Sequence, residues 1–139
     1  MGNVRIIDHS KEVIEALDEK LDLTLDLVGM FVASEAQDEL DNSPRRIDTG
    51  LLKNSITHAV SGKSPAIGAY TSDDGTKSGS YSGNAPKDKD KAVYVGTNVE
   101  YGIYVHEGTS NMSPNRFLRN ACERNVDQIK EYFKNNLKS

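Results

Sequence analysis

The sequence predicts an α+β fold: a small antiparallel or mixed sheet packed against a long N-terminal helix and a C-terminal helix, with a long flexible hairpin-like loop, in a single domain over residues 1–139. Three observations predict it. A run of about 30 residues (11–40) is free of turn residues before Gly29 and rich in helix formers. Two short stretches, SITHAV and AVYVGT, alternate in the period of a strand. The last 25 or so residues carry one apolar stripe at helical spacing.

The first element in chain order is VRIID (residues 4–8), β-branched and ended by polar His9-Ser10, which reads as a short strand. Ser10 is placed to cap the helix that follows, with Glu12 in its first turn against the positive end of the helix dipole. Over residues 11–40 two periods compete. Ile14, Leu17, Leu21, Leu25, Val28 and Phe31 step by three or four, as a helical face does. Leu21, Leu23, Leu25 and Leu27 also alternate with Asp22, Thr24 and Asp26, which is a strand period. The flanks ALDEK and ASEAQDEL decide for helix. Such a helix would be roughly 45 Å long. It would be apolar on more than one side, so part of it is expected to lie against a neighbouring subunit.

Asp41-Asn42-Ser43-Pro44 ends that helix by turn chemistry and by the proline. Asp48 or Thr49 can cap a short helix through Leu51 and Leu52. SITHAV (residues 55–60) is read as a strand with Ile56, His58 and Val60 on one side. Residues 62–90 are dominated by glycine, serine, lysine and aspartate, with Ile67, Tyr70 and Tyr81 as the only anchors. A loop of this length is mobile or ordered by a partner. The reading adopted is a hairpin-like excursion with SITHAV and AVYVGT as its feet. AVYVGT (residues 92–97) is the clearest strand, with Gly96-Thr97-Asn98 as its turn. Ser113 then caps a last helix with Pro114 at its first position. Its stripe is Leu118, Cys122, Val126, Ile129, Phe133 and Leu137, widened by Phe117, Ala121 and Tyr132. Lys130, Lys134 and Lys138 suit its C-terminal end.

Composition narrows the function. The net charge of −4, from 17 basic and 21 acidic residues, argues against broad nucleic-acid binding. Arg45-Arg46 and the set Arg116, Arg119 and Arg124 are the only local candidates for such binding. One cysteine allows no intrachain disulfide and no cysteine-based zinc site. Cys122 falls on the apolar stripe and reads as a buried structural thiol. The opening MGNVRIIDHS turns polar at once, unlike a secretory leader, and no apolar run reaches the roughly 20 residues of a membrane span. A metal-dependent hydrolase built on His58, His106 and Glu107 is conceivable, yet no HExxH-type spacing supports it. GxSxG, GxxxxGK[ST] and GxGxxG are absent as well. Tyr94, Tyr101, Tyr104 and Phe117 are split between core and interface roles.

Two blocks carry a resemblance. Asp48-Thr49-Gly50-Leu51-Leu52-Lys53-Asn54-Ser55-Ile56 is similar to a D-T-G-x-L-x-x-S-I block. The segments 93–97, 101–109 and 114–118 are similar to a second block, roughly V-x-V-G-T-x-x-x-Y-A-x-Y-V-E-x-G-T followed by a proline and R-P-F-L. In that order the blocks resemble the gene-product-ten-like tail-component family of long-tailed double-stranded DNA phages, the neck or tail-completion proteins. Gly102 stands where alanine is usual, His106-Glu107 shifts the acidic residue by one, and Asn115 replaces a small residue or proline. The resemblance implies a fold like that of tail-terminator and head–tail joining proteins. It implies no enzyme activity and no cofactor. It implies a ring, hexameric in such proteins, at the head–tail junction or tail end of the virion, assembled in the host cytoplasm. The implied partners are other copies of the chain, the tail tube and head-completion or connector proteins. Nucleic acid would only pass through the ring, and no membrane is involved. The carried-over positions are Asp48, Thr49, Gly50, Leu51, Ser55, Ile56, Gly96, Thr97, Tyr101, Tyr104, Val105, Glu107, Gly108, Thr109, Pro114, Arg116, Phe117 and Leu118. Among them, Asp48 or Thr49 would cap, Gly50, Gly96 and Gly108 would let the chain turn, and Tyr101 and Tyr104 would pack the strand–helix junction. Pro114 would start the last helix, and Phe117 and Leu118 would lock it on the sheet.

Overall fold

One helix organises the molecule. In the computed structural model, which describes residues 10–41, 50–61, 66–83, 91–99, 101–110 and 114–137, α1 runs over Ser10–Asp41. Its span covers the expected helix from Ser10 to Asp41, and the residues flanking it on both sides lie outside the described residues. The strand expected at 4–8, Ser43-Pro44, Arg45-Arg46, Asp48, Thr49, Ser113 and Lys138 lie outside the described residues. Along α1 the buried positions are Thr24, Leu25, Val28, Gly29, Val32, Ala33 and Ala36, stepping by three and four. The Thr24 hydroxyl, buried on this face, donates to the Lys20 carbonyl one turn back at 2.7 Å. Residues 15–20 are exposed on every side. The expected inner face is therefore correct from Leu25 to Phe31, while Leu17 lies outside the core.

The rest of the chain gathers on that buried face. After α2 (Leu51–Ser55), β1 (Thr57–Val60) pairs antiparallel with β4 (Val93–Gly96), in the register Thr57 opposite Gly96 and Val60 opposite Val93. This two-stranded sheet packs on α1. Gly29 is the point of closest approach: a Cβ there would meet the His58 ring at 2.6 Å and a Val93 methyl at 2.7 Å. SITHAV is therefore a strand only from Thr57 on, because Ser55 closes α2. The expected feet of the excursion, SITHAV and AVYVGT, do pair with each other.

Between those feet the chain builds a second antiparallel ladder, β2 (Ala66–Thr71) against β3 (Ser78–Gly83). Both sheets are antiparallel; neither is mixed. The second ladder solves the scarcity of anchors by pairing each tyrosine with a glycine. Tyr70 lies opposite Gly79 and Tyr81 opposite Gly68. A Cβ at either glycine would fall within 2.6–2.8 Å of the tyrosine oxygen across from it, and the two rings stack at 6.0 Å. The rings thus lie over bare backbone. Two amide side chains tie the hairpin down. Tyr70 Oη donates to Asn98 Oδ1 at 2.5 Å, and Asn98 Nδ2 donates to the Ser80 carbonyl at 2.9 Å. Asn54 Nδ2 donates to the Thr71 carbonyl at 2.7 Å and to Asp73 Oδ1 at 3.0 Å.

The hairpin turn is built around Asp74. Its carboxylate accepts from the Ser72 hydroxyl at 2.6 Å, the Thr76 hydroxyl at 2.7 Å and the Thr76 N–H at 3.0 Å, and Gly75 supplies the left-handed residue at φ 74°. These donors, the Ser72 hydroxyl first, lower the Asp74 carboxyl from 3.8 to about 2. A carboxyl lowered on folding stabilises the folded turn fully above its unfolded value and loses that contribution as pH falls through the folded value. The Thr76 amide resonance is therefore expected to titrate with a midpoint near 2. A midpoint at the ordinary aspartate value near 4 would contradict the turn geometry.

Three helices complete the chain: α3 (Gly102–Glu107), α4 (Phe117–Glu123) and α5 (Val126–Asn136). Two expectations change here. The last helix does not start at Pro114, which is exposed and outside any helix; Arg116 stands at the N-cap. It is also two helices rather than one. Asn125 departs from helical angles, and its Nδ2 donates to the Ala121 carbonyl at 2.8 Å, taking the acceptor its own N–H would have used. The break splits the apolar stripe. Leu118 and Ile129, Tyr132 and Phe133 pack on the core, whereas Val126 and Cys122 are exposed. Cys122 is thus not the buried thiol the stripe implied; part-burial, and secondly the Glu123 charge, still raise its pKa. Phe31 and Tyr132 meet with ring centroids 5.4 Å apart, closing α5 on α1.

The core joins Val28, Val32, Ala33 and Ala36 of α1 to Leu52, Ile56, Val105, Phe117 and Ala121. Phe117 is fully buried at its centre, with Ala36 and Ala121 supplying the small surfaces that let α1 and α4 approach.

Candidate functional site

The two blocks, some 40 residues apart in sequence, meet through a directed chain of hydrogen bonds. Ser55 has one proton and donates it to the Leu52 carbonyl at 2.6 Å. The Thr97 hydroxyl, in short contact with Ser55 Oγ, must then donate to it. Thr97 Oγ1 in turn accepts the Val99 N–H at 3.1 Å. Ser55 is fully buried and every buried side-chain N or O among the described residues has a partner. Gly102 sits against this knot: a Cβ there would be 3.0 Å from the Thr97 methyl and 3.2 Å from Leu52. Thr97→Val keeps the volume and removes both bonds. It is expected to cost about 1–2 kcal/mol in urea unfolding, because Ser55 and the Val99 N–H lose partners. Thr97→Ser keeps the hydroxyl and loses one half-buried methyl, so it should cost less, at most about 0.8 kcal/mol; a loss as large as that of Thr97→Val would mean that the hydroxyl is not what holds the knot.

The first described residue of the first block, Gly50, lies in the left-handed region that glycine adopts freely. Gly50 has φ 73° and caps α2 without any side-chain hydrogen bond. A Cβ there would run into the Asp73 carboxylate at 2.2 Å. Gly50, not Asp48 or Thr49, occupies the cap position. Leu51 is half-buried, and Ile56 enters the core. Of the other glycines carried over, Gly108 turns the chain at φ 82°, but Gly96 needs no glycine, since its φ is ordinary and a Cβ would meet nothing.

The segment 101–110 holds the helix that its sequence does not announce. Tyr101 caps α3 and packs half-buried on the core, Val105 points inward, and the Asn115 N–H donates to the Val105 carbonyl at 2.8 Å. His106 bridges α3 and α4. Its ring stands edge-on to Phe117 at 5.3 Å, its Nδ1 bonds Glu107 Oε1 at 2.8 Å, and its Nε2 accepts the Arg119 N–H at 3.4 Å. One tautomer, with the proton on Nδ1, satisfies both contacts. The His106 hydrogen bond, ahead of the charges of His106 and Arg116, holds the Glu107 carboxyl below its usual value. Arg116 pairs loosely with Glu107 at 3.7 Å, Arg119 with Glu123 at 2.8 Å, and Arg124 with Glu39 at 2.5 Å.

The residues considered for metal chemistry do not share a site. His58 bonds Asp26 on α1 at 2.7 Å, whereas His106 is engaged at the α3–α4 junction. Among the described residues no three His, Cys, Asp or Glu side chains gather as a metal-binding group, and no helix is long and apolar enough to cross a membrane.

What stands out instead is apolar surface. Tyr104 and Ile103 of α3 are exposed, as are Leu17, Leu23, Leu27 and Met30 of α1 and Val126 of α5. Thr109 is exposed and Leu118 half-buried. Sequence reasoning singled out Tyr104 but missed Leu23, Leu27, Met30 and Ile103 as a set. The signal was present: leucines two residues apart fall on opposite sides of a helix, so with Leu25 inside, Leu23 and Leu27 lie outside. Comparison with protein-family models, with curated proteins and with solved structures returns no match to the chain.

Proposed function

We propose that the protein is a structural, non-enzymatic virion component of a tailed phage or prophage. In this reading it is a ring subunit at the head–tail junction or the tail end, needed for tail completion or head–tail joining. The observation that carries the reading is the pair of sequence blocks, whose polar residues Ser55 and Thr97 meet in the core and fix α2 against the end of β4. Family-like motifs that hold one another, rather than a ligand, suit a protein whose work is assembly. The exposed apolar residues of α1 and α3 add support, since a surface of that kind on a small chain marks contact with other proteins.

The partners in this reading are other copies of the chain, hexameric in the resembling family, the tail tube, and head-completion or connector proteins. The chain works in the virion after assembly in the host cytoplasm. Imaging virions assembled with a tagged copy tests it: the label is expected at the neck or the tail end. Purified particles that carry no label would refute the proposal.

A further inference from the structure

The β2–β3 hairpin stands apart from the rest of the fold. Its ladder shares no strand with the β1–β4 sheet, and it rests chiefly on α2 and β1. None of its described side chains joins the core. Tyr70, the one described hydrophobic side chain buried there, lies over Gly79 and stacks on Tyr81, both within the hairpin itself.

Two asparagines hold it from opposite edges. The Ser72 N–H donates to the Lys77 carbonyl at 2.8 Å, so the pairs Tyr70–Gly79 and Gly68–Tyr81 are hydrogen-bonded pairs of the ladder by antiparallel alternation. The carbonyls of Thr71 and Ser80 therefore point outward, one from the edge of β2 and the other from the edge of β3. Each is taken by an amide from outside the hairpin: Asn54 Nδ2 donates to Thr71 at 2.7 Å, and Asn98 Nδ2 donates to Ser80 at 2.9 Å. Asn98 also accepts the Tyr70 hydroxyl, so it holds both strands. These asparagines are the chain neighbours of Ser55 and Thr97. The contact between the Ser55 and Thr97 hydroxyls thus sets the two amides on either side of the hairpin.

We infer that Asn54 and Asn98 form a clasp, and that the hairpin lets go of α2 and unfolds as one unit while the core stays folded. A two-stranded ladder by itself is marginal in water, so once clear of α2 both strands are lost together. Opening of this partial kind falls on elements with few buried apolar contacts and solvent-exposed hydrogen bonds. The hairpin has both, since the bonds from Asn54 to Thr71 and Asp73 and from Asn98 to Ser80 are exposed. The device is an order–disorder switch of a single segment. It goes beyond the ring-subunit reading and does not depend on it.

Native-state hydrogen exchange, followed residue by residue, tests the clasp. In the parent chain the Tyr70 and Tyr81 amides are expected to share one protection factor, at least about tenfold below those of Val32 and Ala36 on α1. One neutral hydrogen bond shifts an equilibrium by about fivefold net, so Asn98→Ala, which removes two, is expected to speed both hairpin amides by about tenfold or more. Asn54→Ala removes bonds only to β2 and the turn, yet it is expected to speed Tyr81 on β3 as much as Tyr70. Val32 and Ala36 should keep their rates in both variants. Hairpin amides as slow as those of α1 would overturn the inference. So would an Asn54→Ala effect confined to β2, or variants that speed α1 equally. Should a variant melt too early to measure, the parent chain suffices. Its exchange at Tyr70 and Tyr81 is expected to rise with urea less steeply than at Val32 and Ala36, because the opening exposes less surface. Equal slopes would show that the hairpin opens only with the whole molecule, and the clasp would be refuted.

Discussion

Phe117→Ala is expected to lower the unfolding free energy by about 3–5 kcal/mol, the usual cost of removing a buried ring and leaving its cavity. The site cannot collapse cheaply. Phe117 is fully buried, and the core around it includes Ala33, Ala36 and Ala121, side chains too short to reach into the gap. His106, edge-on to the ring, would also lose its packing surface, and with it the support for its contact with the Arg119 N–H. Against a total stability of about 5–15 kcal/mol, a loss of this size removes about a fifth or more. Urea denaturation at 25 °C measures it. A loss below about 1.5 kcal/mol would mean that Phe117 is not the centre of the core. Phe117→Leu, which refills most of the volume, should cost markedly less.

The second large effect is at Gly29, where two magnitudes of opposite sign compete. In an exposed helix, replacing glycine with alanine stabilises by about 1 kcal/mol. At Gly29 the added methyl would sit 2.6 Å from the His58 ring and 2.7 Å from a Val93 methyl, on two different strands. Overpacking of this kind costs about 1–3 kcal/mol, so the cost wins. Relief by moving His58 would disturb its 2.7 Å bond to Asp26 and the β1–β4 ladder it belongs to. Gly29→Ala is expected to lower the melting temperature by several degrees, about 3–5 °C per kcal/mol at this chain length. A rise in melting temperature would show that the sheet yields at the helix contact.

Much of this architecture is legible in the residues, and the failures have local causes. The span of α1 follows from helix formers and from the turn sequence after it. The pairing of SITHAV with AVYVGT follows from strand alternation on both sides of a turn-rich stretch. The helix α3 was not legible because GIYVHE combines glycine with β-branched and aromatic residues, which favour strands. Tertiary contacts impose it: Val105 enters the core and its carbonyl receives the Asn115 N–H. The break between α4 and α5 turns on one amide, Asn125, inside an otherwise unbroken periodic pattern. The hairpin-like excursion was expected, but its ladder was hidden because β3 is glycine and serine around Tyr81 and β2 carries small Ala66, Gly68 and Ala69, with order coming from tyrosines that cover cross-strand glycines. Of the candidate site, the sequence identifies the block residues but not their division of labour. Phe117 and Val105 are core, Ser55 and Thr97 form a polar knot, and Tyr104 faces outward.

The fully buried pairing of Ala36 with Phe117 and Ala121 also sets a timetable for synthesis. Ala36 leaves the ribosome about 80 residues before Phe117, roughly 4–16 s earlier at ordinary elongation rates. For that interval α2 and the β1–β4 sheet are the only cover for Leu25, Val28 and Val32, and the outward leucines are bare. A nascent helix apolar on two sides is a substrate for chaperones and for wrong partners. The ten acidic residues along it keep neighbouring nascent chains apart until α4 arrives.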